Sequence, residues 1–243
     1  MYSNIDWKKV LYIMLALGLV SSLAGAIDIG NLVLTLPGLI LGLTVHEFSH
    51  ARMANRLGDP TPDNQGRLTL NPLAHIDPIG IILLIFAHIG WGKPVEVNYN
   101  NLTTNKSRGY CEAMISLAGP LSNFILAIIL TLIYYALGIF AIPFISTSIG
   151  SILFTIIGSA ITVNIGLGVF NLIPLPPLDG EKIFRNIMPY GVKEWLTKNT
   201  NTLQFAFMIL WITGLLGTIV SPVIEVIFYI INGIVSFIFG IFI

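Results

Sequence analysis

The sequence predicts an all-α polytopic membrane protein. It would have about six transmembrane helices, a three-helix core among them, and short β-like strands or re-entrant pieces in its loops. Three observations carry this. Of 243 residues, 55% are hydrophobic and 10% are charged, against about 25% charged in an ordinary soluble domain. Mean hydropathy is +0.84. The apolar residues are also gathered into runs, and a helical span needs about 20 of them. Six stretches meet that length, at roughly 8–27, 31–55, 110–140, 147–172, 201–220 and 222–243. No extramembrane stretch is long enough for a domain of its own. The chain therefore reads as one integral-membrane domain, 1–243, with a core at about 31–180 and accessory spans at 8–27, 201–220 and 222–243.

Charge and cysteine usage exclude other classes. Twelve basic and twelve acidic residues leave no net charge, so nothing points to a nucleic-acid partner. The single cysteine, Cys111, excludes an internal disulfide and any multi-cysteine metal site. It reads as a small apolar residue near a helix start.

Lys8 and Lys9 precede the first apolar run, and Trp7 stands where an interfacial anchor belongs. Ala24-Gly25-Ala26 has the form of a signal-peptidase site, but a retained span is the favoured reading. The second run, 31–55, holds the first chemical motif. In the 56–109 loop, Gly58-Asp59-Pro60 is turn chemistry. The segments 66–70 and 94–99 read as short strands. The apolar stretch 79–91 is too short to cross and reads as re-entrant or interfacial. The third run opens with Leu117-Ala118-Gly119-Pro120-Leu121-Ser122-Asn123, small residues that let helices approach closely, with Asn123 able to bond across to a neighbour. All twelve Lys and Arg fall on one side if the N-terminus is cytoplasmic. The 56–109 and 173–200 loops and the C-terminus are then cytoplasmic too.

His46-Glu47-Phe48-Ser49-His50 is an H-E-x-x-H motif inside the second run. On a helix, residues four apart share a face, so the two imidazoles can converge on one ion. Glu47 sits one position on, where a carboxylate can reach a water at the metal: two ligands and a general base from one turn. The bland alternative, satisfied core histidines, is weakened by the setting, since ionisable groups inside a membrane are expensive and by default functional. At 1.5 Å per residue His46 lies about 22 Å below the start of the run at Asn31, nearer the cytoplasmic face.

The fourth run ends in Asn171-Leu172-Ile173-Pro174-Leu175-Pro176-Pro177-Leu178-Asp179-Gly180. These prolines cannot continue a helix, and the chain becomes extended at about the depth of the histidines. Asp179 is the expected third ligand, leaving a fourth zinc position for water; capping a helix that starts at Gly180 is the alternative. The Asn171 amide could donate to the oxyanion of a tetrahedral intermediate or bond to a neighbouring helix. His75 and His88 lack a partner at ligand spacing and read as polar lining of a water-accessible pocket.

Together these constellations resemble the site-2 protease family of intramembrane zinc metalloproteases. Gly66-Arg67-Leu68-Thr69-Leu70-Asn71-Pro72, Gly90-Trp91-Gly92-Lys93-Pro94-Val95 and Ala118-Gly119-Pro120-Leu121-Ser122-Asn123 also look like that family's short prokaryotic members. The resemblance covers roughly residues 41–180. It implies that His46, His50 and Asp179 bind one zinc ion (Zn2+), that Glu47 activates a water, and that Asn171 meets the substrate carbonyl. It implies as partners the lipid bilayer and a transmembrane protein substrate, cut near the cytoplasmic side, with a regulatory membrane protein as a further candidate. PDZ and CBS modules found in some members have no counterpart here. The rival functions are a membrane metal transporter, which would distribute ligands along a path, and a non-catalytic scaffold of the same fold, which would be expected to lose Glu47 or Asp179. The segments 66–70 and 94–99 are expected to hold an unwound substrate by strand addition.

Overall fold

The structure, a computed structural model, describes residues 29–80 and 92–240. The predicted span 8–27 and most of the predicted re-entrant stretch, with His88, lie outside the described residues. The α-helices, in chain order, are α1 (Ile29–Arg56), α2 (Thr61–Asn64), α3 (Arg108–Phe140), α4 (Ile142–Ile145), α5 (Ser148–Asn171), α6 (Asp179–Arg185), α7 (Tyr190–Ile212) and α8 (Leu215–Gly240). Four of them, α1, α3, α5 and α8, are long and apolar enough to cross a membrane. The all-α class holds.

Local chemistry sets the boundaries. The Ser107 hydroxyl accepts from Tyr110 N and starts α3; Thr147 accepts from Gly150 N and starts α5. Pro37 and Pro120 sit inside α1 and α3, as spans tolerate when neighbouring helices pack against the freed backbone. Helices α1, α3 and α5 form the core bundle. Their contact is close because small residues face one another: a Cβ on Gly38 would lie 2.6 Å from Ala160 Cα. Ala127, Leu130, Ala160, Ile161, Ile165 and Val169 fill the apolar centre between α3 and α5. Cys111 is free and buried in the first turn of α3, as its neighbours in sequence predicted.

The C-terminal third corrects the expected pair of spans at 201–220 and 222–243. The break falls at Thr213-Gly214, where Gly214 has φ +73°, a value glycine adopts without steric cost. Upstream, α7 does not cross. Its start is tied to the start of α3 through Asn186, which donates to Gly109 O at 2.6 Å and accepts from Lys193 Nζ at 3.5 Å. Its end packs Phe207 and Trp211 on Phe170, at the end of α5, with ring centroids 5.5 and 4.9 Å apart. Both places are at the loop end of the bundle. Of the two, α8 alone is long and apolar enough to cross, and it runs parallel to α3, since Phe239 stacks on Tyr135 near the far end of α3 at 5.8 Å. The C-terminal end of α8 therefore lies opposite the end that holds the loops and the described basic residues. The hydropathy of 201–243 had hidden this, because α7 is apolar only in its second half.

The segments read as strands pair with nothing among the described residues. The only bridge there is isolated, between Ile76 and Gly92. The loop is instead pinned by Asp59, which is buried and accepts from Thr61 N (3.0 Å), Asn98 N (2.7 Å) and Asn101 Nδ2 (3.1 Å). Burial would raise this carboxyl, but the hydrogen bonds from Thr61, Asn101 and Asn98 outweigh it and hold it below its ordinary value. Tyr99, in the same loop, is pushed up to about 12 by burial and by the Glu112 carboxylate, so its hydroxyl stays neutral.

Candidate metal centre

Helix α1 presents His46 and His50 one turn apart on its buried face, their rings edge to face with centroids 4.6 Å apart. Asp179 arrives from the other end of the sequence. The prolines end α5, the chain reverses, and α6 begins at Asp179 with Leu178 in the cap position and no side-chain cap. Capping is therefore not what Asp179 does. The reversal needs glycine next: a Cβ on Gly180 would stand 2.3 Å from Ile173 O and 2.4 Å from Leu172 O.

Asp179 Oδ2 lies 3.1 Å from His46 Nε2 and 3.1 Å from His50 Nε2, and the two Nε2 atoms are 3.0 Å apart. Among the described residues this is the one group of three or more His, Cys, Asp or Glu side chains close enough to share an ion. The outer nitrogens decide what the inner ones can do. His50 Nδ1 is 2.7 Å from Ile115 O, which can only accept, so Nδ1 carries the proton. His46 Nδ1 is 2.7 Å from Asn123 Oδ1. That amide's orientation is fixed because Asn123 Nδ2 donates to Gly42 O (3.1 Å) and Asn164 Oδ1 (3.0 Å). In their neutral forms both imidazoles therefore turn an unprotonated Nε2 lone pair toward a carboxylate oxygen. Three acceptors meet at about 3 Å with no donor between them. Such a set repels itself unless a cation sits within it, and two imidazoles with one carboxylate is a zinc-type donor set.

Burial of Asp179 works against its charge. Only positive charge, on the His50 and His46 rings or on an ion between them, outweighs that and holds the carboxyl below the ordinary carboxylate range. The pocket roof is Gly119 of α3, where a Cβ would stand 2.4 Å from His50 Nε2 and 2.6 Å from His46 Nε2. Glu47, half-buried beside the histidines, accepts a hydrogen bond at Oε2 from Val95 N at 3.0 Å, so the 92–98 loop lies across it.

The sequence-predicted residues divide as follows. His46, His50 and Asp179 converge, with Glu47 adjacent. The Asn171 amide donates to Leu167 O of its own helix at 3.0 Å and makes no contact with that group. His75 is buried in the loop, its Nε2 2.8 Å from Thr69 O, and is no part of the cluster. Asn123, read mainly as a packing residue, is a partner of His46. Asn164 escaped the sequence reading. It is fully buried and donates to Ala160 O (2.8 Å) and Gly38 O (3.4 Å). The signal was available: an amide well inside a span with no charged residue.

Comparison with known proteins agrees with this chemistry. The sequence pattern described as "Peptidase family M50" matches residues 135–215. The chain is 38% identical over 190 residues to "Putative zinc metalloprotease YwhC" of Bacillus subtilis, covering 77% of this chain and 84% of that one. It is 34% identical over 155 residues to "Putative zinc metalloprotease Rip2" of Mycolicibacterium smegmatis, covering 63% of this chain and 56% of that one. A Rip2 of Mycobacterium tuberculosis matches at 29% over 196 residues, 78% of this chain and 70% of that one. No solved structure matches the chain.

Proposed function

Since the chain belongs to peptidase family M50, we propose that it is an intramembrane zinc metalloprotease that hydrolyses peptide bonds of transmembrane proteins near the cytoplasmic side of the membrane. The observation that supports this most is the convergence of His46, His50 and Asp179 beside the Glu47 carboxylate. His46, His50 and Asp179 would hold one zinc ion. When bound, zinc supplies the positive charge that polarises a scissile carbonyl and makes a water more acidic. Glu47 takes the proton from that water at its carboxylate and returns it to the leaving nitrogen. Asn123 keeps the His46 ring in the tautomer that turns Nε2 inward, and Ile115 O does the same for His50. Asn171 has the chemistry to donate to the substrate carbonyl once its bond to Leu167 O is exchanged.

A transmembrane substrate must be unwound before attack, because its carbonyls are hydrogen-bonded within its own helix. The 92–98 segment, outside helix and sheet and with its Val95 N–H on Glu47, would hold the unwound peptide by strand addition. The basic residues of the described part, from Arg52 to Lys198, gather at the loop end. That supports a multi-pass protein of the cell membrane whose loop end is cytoplasmic, with the N-terminus on the same side. A transporter would require ligands spaced along a path, whereas these lie at one depth with a base beside them.

The test is zinc per chain on purified variants beside cleavage of one membrane substrate, with and without chelator. Glu47→Gln should keep about one zinc and lose cleavage. Asp179→Asn should lose both, since an amide is a poor zinc ligand. Full cleavage by Glu47→Gln would end the metalloprotease reading.

A further inference from the structure

Helix α8 divides its circumference in three. Leu216, Val220, Ile231 and Val235 are buried against the bundle. Ile219, Val223, Val226, Ile230 and Phe237 form an exposed apolar face, as lipid requires. The third face is polar along the length of the helix. Thr218, Ser221, Glu225, Tyr229, Asn232 and Ser236 follow at intervals of three or four residues, the spacing that stacks side chains on one side of a helix. Pro222 adds to it: proline lacks the N–H that would bond to Thr218 O, and the Ser221 hydroxyl donates to that oxygen at 3.5 Å.

Glu225 is at the centre of this stripe. It is exposed and has no hydrogen-bond or ion-pair partner among the described residues. It lies about 15 Å along α8 from its start, and the adjoining Ile224 packs on Gly166 of α5, two residues from the buried Asn164. Glu225 is thus at mid-membrane, level with the buried amides. Every other charged residue of the four long helices except Glu47 lies near a helix end. A carboxylate and five hydrogen-bonding neighbours facing hydrocarbon are costly, and such groups ordinarily face a partner.

We propose that this stripe is the docking face for a transmembrane helix of another protein that carries a lysine or arginine near its midpoint. Charge complementarity selects that occupant. A second copy of this chain would set Glu225 against Glu225. The hydroxyl and amide groups above and below supply interhelical hydrogen bonds, and Gly233, beside the stripe with open space at its Cβ position, allows close approach. The stripe shares no residue with the metal centre, so the proposal stands apart from the protease reading.

The experiment uses the full chain in phosphatidylcholine vesicles, labelled for energy transfer to synthetic leucine helices of about 20 residues that carry a central Lys, Leu or Glu. The Lys peptide should associate about tenfold or more tightly than the Leu peptide. That preference should vanish in Glu225→Leu and turn toward the Glu peptide in Glu225→Lys, with zinc content unchanged in both. Equal association of the three peptides with the wild type, or a Lys preference that survives in Glu225→Leu, would overturn the proposal. Energy transfer between two labelled copies that is lost in Glu225→Leu would give the stripe to a second copy. A Lys preference seen only after removal of residues 1–27 would give it to the chain's own N-terminal stretch. Either result overturns the assignment to another protein.

Discussion

Replacing Gly119 by alanine adds one methyl group to α3 and aims it at the two histidines. The Cβ would stand 2.4 Å from His50 Nε2 and 2.6 Å from Nε2 and Cε1 of His46. Comfortable contact begins at about 3.5 Å, so the rings must retreat by about 1 Å. Neither has an easy retreat. His46 is held at 2.7 Å by Asn123, and His50 at 2.7 Å by Ile115 O. A displacement of that size costs about 100-fold in rate where geometry sets the chemistry, and loss of ligand orientation costs about 10–100-fold in metal affinity. Helix propensity pushes the other way, since alanine favours a helix over glycine by about 1 kcal/mol. Gly119→Ala should therefore retain or gain helical content by far-ultraviolet circular dichroism. It should also surrender zinc at a chelator concentration about 10–100-fold lower than the wild type, and cleave membrane substrate about 100-fold more slowly. A folded Gly119→Ala protein with wild-type zinc retention would show that the histidines do not occupy these positions in the working enzyme.

Three further outcomes are expected. Asn123→Ala frees His46 Nδ1 and leaves Asn164 Oδ1 without its donor; zinc affinity measured by chelator competition should fall about 10–100-fold, and unchanged affinity would remove the amide from the site. Asp59 has a folded-state pKa below its unfolded value. Its stabilisation is therefore complete above the unfolded value near 4 and is lost as pH falls below it toward the folded value; limited proteolysis of the 57–107 loop should accelerate over that window. Asp59→Asn should show the acceleration at neutral pH, through loss of about 1–3 kcal/mol of hydrogen bonding. With Cys111 replaced, cysteines placed at 141–147 or near 240 should react with an impermeant thiol reagent outside intact cells, whereas cysteines at 193–200 should not. Labelling at 193–200 but not near 240 would reverse the proposed orientation.

Much of the site was legible because its parts are local. The i, i+4 histidines, the glutamate between them and the proline-flanked aspartate each announce their chemistry within a few residues. The three core spans were also legible, since apolar runs bounded by Ser107, Thr147 and the prolines after Asn171 leave little freedom. The reading failed where competing signals were tertiary. Hydropathy across 201–243 cannot tell a crossing helix from one that packs aromatic rings on the bundle's end. The alternation at 66–70 and 94–99 was real but found no strand to pair with. The contact between Val95 N and Glu47 had no signature, because every residue but proline carries the same backbone donor.

The cluster also joins distant parts of the chain. His46 and Asp179 are 133 residues apart, and His50 and Asp179 are 129. An ion held among them closes a loop of more than half the chain, as a disulfide would, and this protein has no second cysteine to make one. The work of holding α6 against α1 then belongs to a reversible staple whose strength follows free zinc concentration. At 100 times the dissociation constant, such a ligand adds about 2.7 kcal/mol to the folded state. A cell that starves this protein of zinc therefore withdraws a fastening between its two motif-bearing segments along with its chemistry.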